Sequence, residues 1–266
     1  MVEEKTLFSR QEQLVRKVSN FGNGAHVFIP KEWMNEEVLV VRLEKKTIKQ
    51  QILEILSPNL EKVIGVFLYG SQARGENNEN SDVDLFVIAK ERFKIDKKIG
   101  YDILILTEEE IEKAIRINPI LMYSIFREAE PIINSSYHKK LEKYKVESKN
   151  FKRFLEQTKE SIKSSEELLE LDKKTGKFAS NSVVYSLILR LRGIFIVNAL
   201  LEKKRYYNLN FRKFILSKNI DFDKVYLAYQ AVRANKKIKE TVLIAQVELL
   251  MDLLKNELDE LSKKIK

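Results

Sequence analysis

Nothing strong breaks the second half of this 266-residue chain. The four prolines, Pro30, Pro58, Pro119 and Pro131, all precede residue 132, and only Gly176 and Gly193 come later. Proline removes a backbone donor and glycine is entropically costly inside an element, so a long stretch nearly free of both reads as helix. Leu243, Val247, Leu250, Leu254, Leu258 and Leu261 recur at steps of three and four, the stripe of a long amphipathic helix. Residues 151–171, 183–201 and 225–233 read as three more. Four helices of this kind, each with an apolar side to hide, predict an up-and-down bundle over residues 136–266.

The front half is punctuated differently. Residues 47–56 place Ile48, Ile52, Ile55 and Leu56 on one side of a helix, stopped by Ser57-Pro58-Asn59. The apolar runs 63–69, 82–89 and 101–106 have strand length. Thr107 with Glu110 three residues on is a capping box that opens the next helix. Residues 46–135 therefore predict an α/β domain with a mixed sheet, and 76–81 a polar loop. Residues 1–45 predict a small β unit: strands near 15–18, 25–29 and 38–41, with a turn at Phe21-Gly22-Asn23-Gly24. The expected fold class is α+β throughout.

Composition narrows the chemistry. There is no cysteine, and His26 and His138 are the only histidines. Disulfides, thiolate zinc sites and cysteine nucleophiles are thereby excluded, and histidine catalysis is disfavoured. A metal would have to be a hard cation on carboxylates, Mg²⁺ or Mn²⁺. Residues 139–266 carry a net charge of +12 and residues 1–138 a net −3. That asymmetry suits an anionic partner for the second half, or a lysine-rich solvated surface. The N-terminal residues lack a signal-peptide stretch and no uninterrupted apolar run reaches bilayer length; the expectation is a cytoplasmic protein with no membrane role.

The informative stretch is Phe67-Leu68-Tyr69-Gly70-Ser71-Gln72-Ala73-Arg74-Gly75, followed by Ser81-Asp82-Val83-Asp84-Leu85. A nucleoside triphosphate needs donors for its phosphates and a cation to offset their charge. Gly70 lets the backbone approach closely, Ser71 supplies a hydroxyl, and the turn into a helix supplies amides. Arg74 lies in the same turn and could reach a phosphate bidentately, or meet Glu76. Asp82 and Asp84, two apart on a strand, share one face. Asp102 sits among apolar strand residues, where a carboxylate needs a partner. If its strand lies beside 82–85, three carboxylates meet, able to hold one or two hard cations and activate an attacking hydroxyl.

A Gly-Ser pair or an Asp-x-Asp pair alone is common. Spaced as here, they resemble the defining motif of DNA polymerase beta-type nucleotidyltransferases, most closely the minimal branch. That resemblance implies nucleotide binding by Gly70 and Ser71, with Arg74 beside them, and metal binding by Asp82, Asp84 and Asp102. It also implies transfer of a nucleoside monophosphate from an NTP, ATP foremost, to a hydroxyl of a protein, an RNA or a small molecule, with pyrophosphate released.

Two further resemblances flank this core. Residues 17–33, with Phe21-Gly22-Asn23-Gly24 and Pro30-Lys31-Glu32-Trp33, resemble the AbrB/SpoVT-like swapped-hairpin family. This implies a strand-exchanged homodimer and a DNA contact, or dimerisation alone. Residues 182–192, the segment Tyr229-Gln230-Ala231-Val232-Arg233-Ala234-Asn235 and the last leucine-rich helix resemble the HEPN bundle. Catalytic HEPN ribonucleases carry an Arg followed four to six residues on by His, and no His follows His138. Arg190, Arg192 and Arg233 remain as contacts for substrate or for carboxylates of the preceding domain. Tyr206 and Tyr207 read as bundle packing or as a hydroxyl acceptor. The family pairing suggests protein nucleotidylylation in a toxin–antitoxin-like setting. The alternatives are a dimeric DNA-binding regulator that senses nucleotide, with Arg16, Lys17 and Lys31 on phosphates, and an RNA-acting HEPN-like protein.

Overall fold

The computed structural model describes residues 13–42, 46–77, 81–96 and 98–265. The chain divides into two compact units, Met1–Thr47 and Ile48–Lys266. The residues of the first boundary (43–45) and part of the expected loop at 76–81 lie outside the described residues.

The first unit is a short antiparallel hairpin, β1 (Ser19–Phe21) and β2 (Gly24–His26), with Ser19 opposite His26 and Phe21 opposite Gly24. Gly22 turns it at φ +54°. A single 3₁₀ turn follows at Lys31–Trp33. Three expectations are corrected here: 15–18 is not a strand, the second strand stops at His26, and 38–41 does not join the sheet. Leu39, Val40 and Val41 are exposed at 90%, 75% and 66%. Among the described residues of this unit none is buried, so they form no core on which such a strand could dock.

In the second unit α1 (Ile48–Leu56) leads through a 3₁₀ turn into β3 (Val63–Tyr69). A one-turn helix, α2 (Gly70–Ala73), joins it to β4 (Val83–Ala89), and β5 (Tyr101–Thr107) follows. Thr107 and Glu110 form the expected capping box, with the Thr107 amide donating to Glu110 Oε2 at 2.9 Å. Then come α3 (Ile111–Ile117), α4 (Pro119–Glu128), β6 (Glu130–Ile133) and α5 (Ser135–Leu141). The sheet order is β5-β4-β3-β6, with β4/β5 parallel and the other pairs antiparallel. β6 carries too little periodicity in four residues to be read beforehand.

Alternation in the strands divides two apolar clusters. Val66, Leu68, Leu85 and Val87 pack with Ile52 and Leu56 of α1. Phe67, Tyr69, Phe86 and Ile88 face the other way, into a core that continues through the rest of the helices. Those are α6 (Lys152–Thr175), α7 (Asn181–Leu201), α8 (Asn208–Leu216), α9 (Phe222–Arg233) and α10 (Ile244–Lys264). The four expected long helices form, and α8 is an addition. The helix-covered face of the sheet and the later helices share one core, so no separate core begins at residue 136.

The central helix is α7, packed on α6, α9 and α10. Gly193 is what lets α6 approach, because a Cβ there would lie 2.7 Å from the Phe154 ring. Arg190 and Arg192 interrupt the apolar run of α7, yet the helix is long and apolar enough, by length and composition, to cross a membrane; half of its apolar window is buried in the fold.

Candidate active site

The strand register decides where the acidic residues meet. In the parallel β4/β5 pair, Asp84 is directly opposite Asp102. In the antiparallel β3/β4 pair, Tyr69 is opposite Asp84. By alternation, Asp84 shares a face with Phe86 and Ile88, and Asp102 shares one with Leu104 and Leu106. These apolar residues belong to the helix-covered core. Asp84, Asp102 and Tyr69 therefore occupy one end of the sheet on its helical side. Asp82, just before β4, is exposed, as is Asp102, while Asp84 is half-buried.

Gly70 is built around Asp84. Its φ is +71°, a conformation that side-chain-bearing residues avoid. A Cβ there would collide with the Asp84 carboxylate, with Cγ only 2.8 Å away. The glycine thus turns the chain into α2 and makes room for the carboxylate. Ser71 follows in the same turn, its carbonyl accepting from the Glu76 amide at 2.9 Å.

The electrostatics reflect this crowding. Burial, followed by the neighbouring Asp102, pushes the Asp84 carboxyl up to about 6; Asp82 adds to the shift, and Arg233 and Arg74 oppose it. The Tyr69 hydroxyl is pushed above its ordinary value by burial and then by Asp84, Asp102 and Glu128. Among the described residues, no three acidic or histidine side chains close into a cage for an ion. The expected trio arrives at one corner without closing, as three carboxylates repelling one another would. Mg²⁺ is commonly held by one or two carboxylates with substrate phosphates completing its shell. The hard-oxygen donors at this corner fit such an ion.

Arg74 is engaged with carboxylates. Its Nε donates to Glu76 Oε2 at 2.9 Å and its Nη1 to Glu128 Oε1 at 2.8 Å, all three side chains being largely buried. Burial works against the guanidinium charge, but Glu128 and Glu76 hold its pKa above the usual arginine value. Glu76 also accepts from the Asn208 amide of α8 at 2.7 Å. Arg192 donates to the Tyr206 hydroxyl (3.0 Å) and the Tyr229 hydroxyl (3.2 Å), and the Tyr206 hydroxyl donates to Asn208 Oδ1 (2.6 Å). The Arg74 guanidinium lies 5.6 Å from the Tyr206 ring centroid. A polar web thus ties the Gly70-Ser71 turn to α7, α8 and α9. Sequence reading missed Glu128, since an acid closing an apolar helix gives no signal of burial. Tyr206 belongs to this web and is buried, whereas Tyr207 is 38% exposed.

A Gly-Ser turn packed against one strand carboxylate, with a second carboxylate in register beside it, is the arrangement of a nucleotidyl-transferring enzyme. The family model for the nucleotidyltransferase domain matches residues 49–207, more than half of the chain, and the chain belongs to that family. It is a nucleotidyltransferase. In particular, it is 33% identical over 102 residues to a candidate protein adenylyltransferase of Methanocaldococcus jannaschii, covering 38% of this chain and 92% of that protein. Among solved structures it is similar to spectinomycin adenyltransferase AAD(9) from Enterococcus faecialis, bound to ATP and spectinomycin. The identity is 16% over 79% of this chain and 97% of that one, with a TM-score of 0.44. A nucleotidyltransferase-like protein from Exiguobacterium sibiricum is 13% identical, covering 80% of this chain and 75% of that one, with a TM-score of 0.37. Neither structural likeness is strong enough to transfer a site.

Proposed function

We propose that the protein transfers AMP from ATP to a hydroxyl of an acceptor protein, in a Mg²⁺-dependent reaction at the corner formed by Gly70, Ser71, Asp82, Asp84 and Asp102. The observation that carries this reading is the register of Asp84 and Asp102 beside the Gly70 turn. ATP and a protein acceptor are favoured by the name of the Methanocaldococcus relative.

In this mechanism the Gly70-Ser71 turn holds the phosphates through its amides and the Ser71 hydroxyl. Asp82 and Asp84 would hold Mg²⁺, whose charge would offset the negative charge that builds on the phosphates. Asp102 orients the acceptor hydroxyl and takes its proton. The acceptor oxygen bonds to the α-phosphorus as the bond from that phosphorus to the bridging oxygen breaks, and pyrophosphate leaves. Arg74 holds the turn in place through Glu76 and Glu128. The helical half, HEPN-like in this reading, supports the donor side and presents the acceptor.

The N-terminal unit is assigned to homodimerisation, on the strength of the exposed apolar run at 38–41. A second copy supplying a strand to that run would cover it. Sedimentation of the full chain and of a Leu39→Lys/Val41→Lys variant checks this. A dimer that the variant cannot form supports it; an unchanged mass in both removes it.

The enzymatic reading is tested by incubating the protein with each labelled nucleoside triphosphate and Mg²⁺, beside Asp82→Ala/Asp84→Ala, with protein and RNA acceptors offered. Label transferred by the wild type alone, from ATP to protein, is the expected result. Transfer only to RNA would overturn the acceptor assignment, and transfer by neither protein would overturn the catalytic one.

A further inference from the structure

The phosphate-binding turn is short of free positive charge. From Phe67 to Asn77 its single cation is Arg74, and two buried carboxylates already engage that side chain. Three aspartates gather at the same corner. A triphosphate bound there would bring further negative charge, and its outer phosphates would need a cation from elsewhere.

α9 offers one. Its Tyr229 hydroxyl accepts from Arg192, Arg192 also donates to Tyr206, and the Tyr206 ring lies beside Arg74. This chain of contacts marks the face of α9 turned towards the site. Arg233 is four residues beyond Tyr229, so it lies on the same face, one turn further along. It is exposed, and among the described residues it has neither an ion-pair partner nor a hydrogen bond from its side chain. The helix end is fixed as well: Asn235 is left-handed at φ +51°, and the Lys236 amide returns to the Ala231 carbonyl at 2.8 Å, the closing bond of a Schellman cap. Lys236, Lys237 and Lys239 then continue an exposed cationic strip.

We propose that Arg233 binds the β- and γ-phosphates of the donor nucleotide, so that the helical half completes the donor site. This rests on the reading of the corner as an ATP site. The planar guanidinium can span two phosphate oxygens, and its position on a rigid helix fixes the direction of approach.

The test is calorimetric titration of the full chain, with Mg²⁺ present, using α,β-methylene-ATP (which cannot be cleaved at the α–β bridge) and AMP. Arg233→Ala should weaken binding of the triphosphate analogue roughly ten- to hundredfold and leave AMP binding unchanged. Arg233→Lys should recover part of the loss. Thermal unfolding of both variants should match the wild type, since the side chain is exposed and unpaired. Unchanged affinity for the analogue in Arg233→Ala would overturn the inference, as would an equal loss for AMP. So would weakened binding of an RNA oligonucleotide with the analogue unaffected, which would assign the strip to an acceptor. Failure of the wild type to bind the analogue at all would overturn the donor-site reading itself, and this inference with it.

Discussion

Gly70 and Gly75 allow the role of the site turn to be dissected. Both have positive φ, +71° and +66°. A Cβ on Gly75 would meet nothing within 4 Å, whereas a Cβ on Gly70 would run into the Asp84 carboxylate, with Cγ at 2.8 Å and Cβ at 3.2 Å. Alanine in the left-handed region costs about 1–2 kcal/mol at either position. For a unit of this size each kcal/mol lowers the unfolding midpoint by about 2–4 °C. Gly70→Ala must in addition displace Asp84, an overpacking cost of about 1–3 kcal/mol. The effect on chemistry should be larger, because swinging the carboxylate out of the turn misplaces it by more than about 1 Å, enough to cost about a hundredfold in rate. Thermal unfolding and pyrophosphate release, measured on both variants, separate these effects. Gly75→Ala should be moderately less stable and nearly fully active; Gly70→Ala should be less stable still and almost inactive. Equal loss of stability and activity in the two variants would refute the claim that Gly70 exists to accommodate Asp84.

Other expectations follow from the same corner. Because Asp84 has a folded pKa of about 6 against an ordinary 3.8, its ionisation opposes folding, and the penalty grows as pH rises from about 4 to about 6. Asp84→Asn should therefore stabilise the metal-free protein at pH 7–8, with the gain fading as the pH falls from about 6 and gone below about 4 in unfolding curves taken from pH 8 downwards. Added Mg²⁺ should raise the wild-type midpoint at pH 7.5 and leave Asp84→Asn unmoved, as binding linkage requires. Arg74→Met strands the buried carboxylates of Glu76 and Glu128 and should cost about 3–5 kcal/mol. Combining it with Glu128→Leu should return part of that stability in urea titrations. Gly193→Ala places a methyl against the Phe154 ring, 2.7 Å away; a loss of about 1–3 kcal/mol is expected, with the turnover number of the remaining folded enzyme preserved.

Much of this protein is local and therefore legible in its sequence. Periodicity and the lack of breakers set the long helices, because an amphipathic stripe and the absence of proline are properties of consecutive residues. The spacing of Gly70, Ser71, Asp82 and Asp84 made the turn and the first carboxylates recognisable for the same reason. Tertiary structure decided what depends on residues distant in sequence. The parallel pairing of β4 and β5 set Asp102 opposite Asp84, and only a fixed register could do so. The burial of Glu128 beside Arg74, 54 positions earlier, turned a candidate phosphate ligand into the centre of a buried ion-pair network. The hairpin shows the converse: the apolar run at 38–41 has the composition of a strand, but a strand also requires a neighbour to receive its hydrogen bonds, and composition cannot supply one.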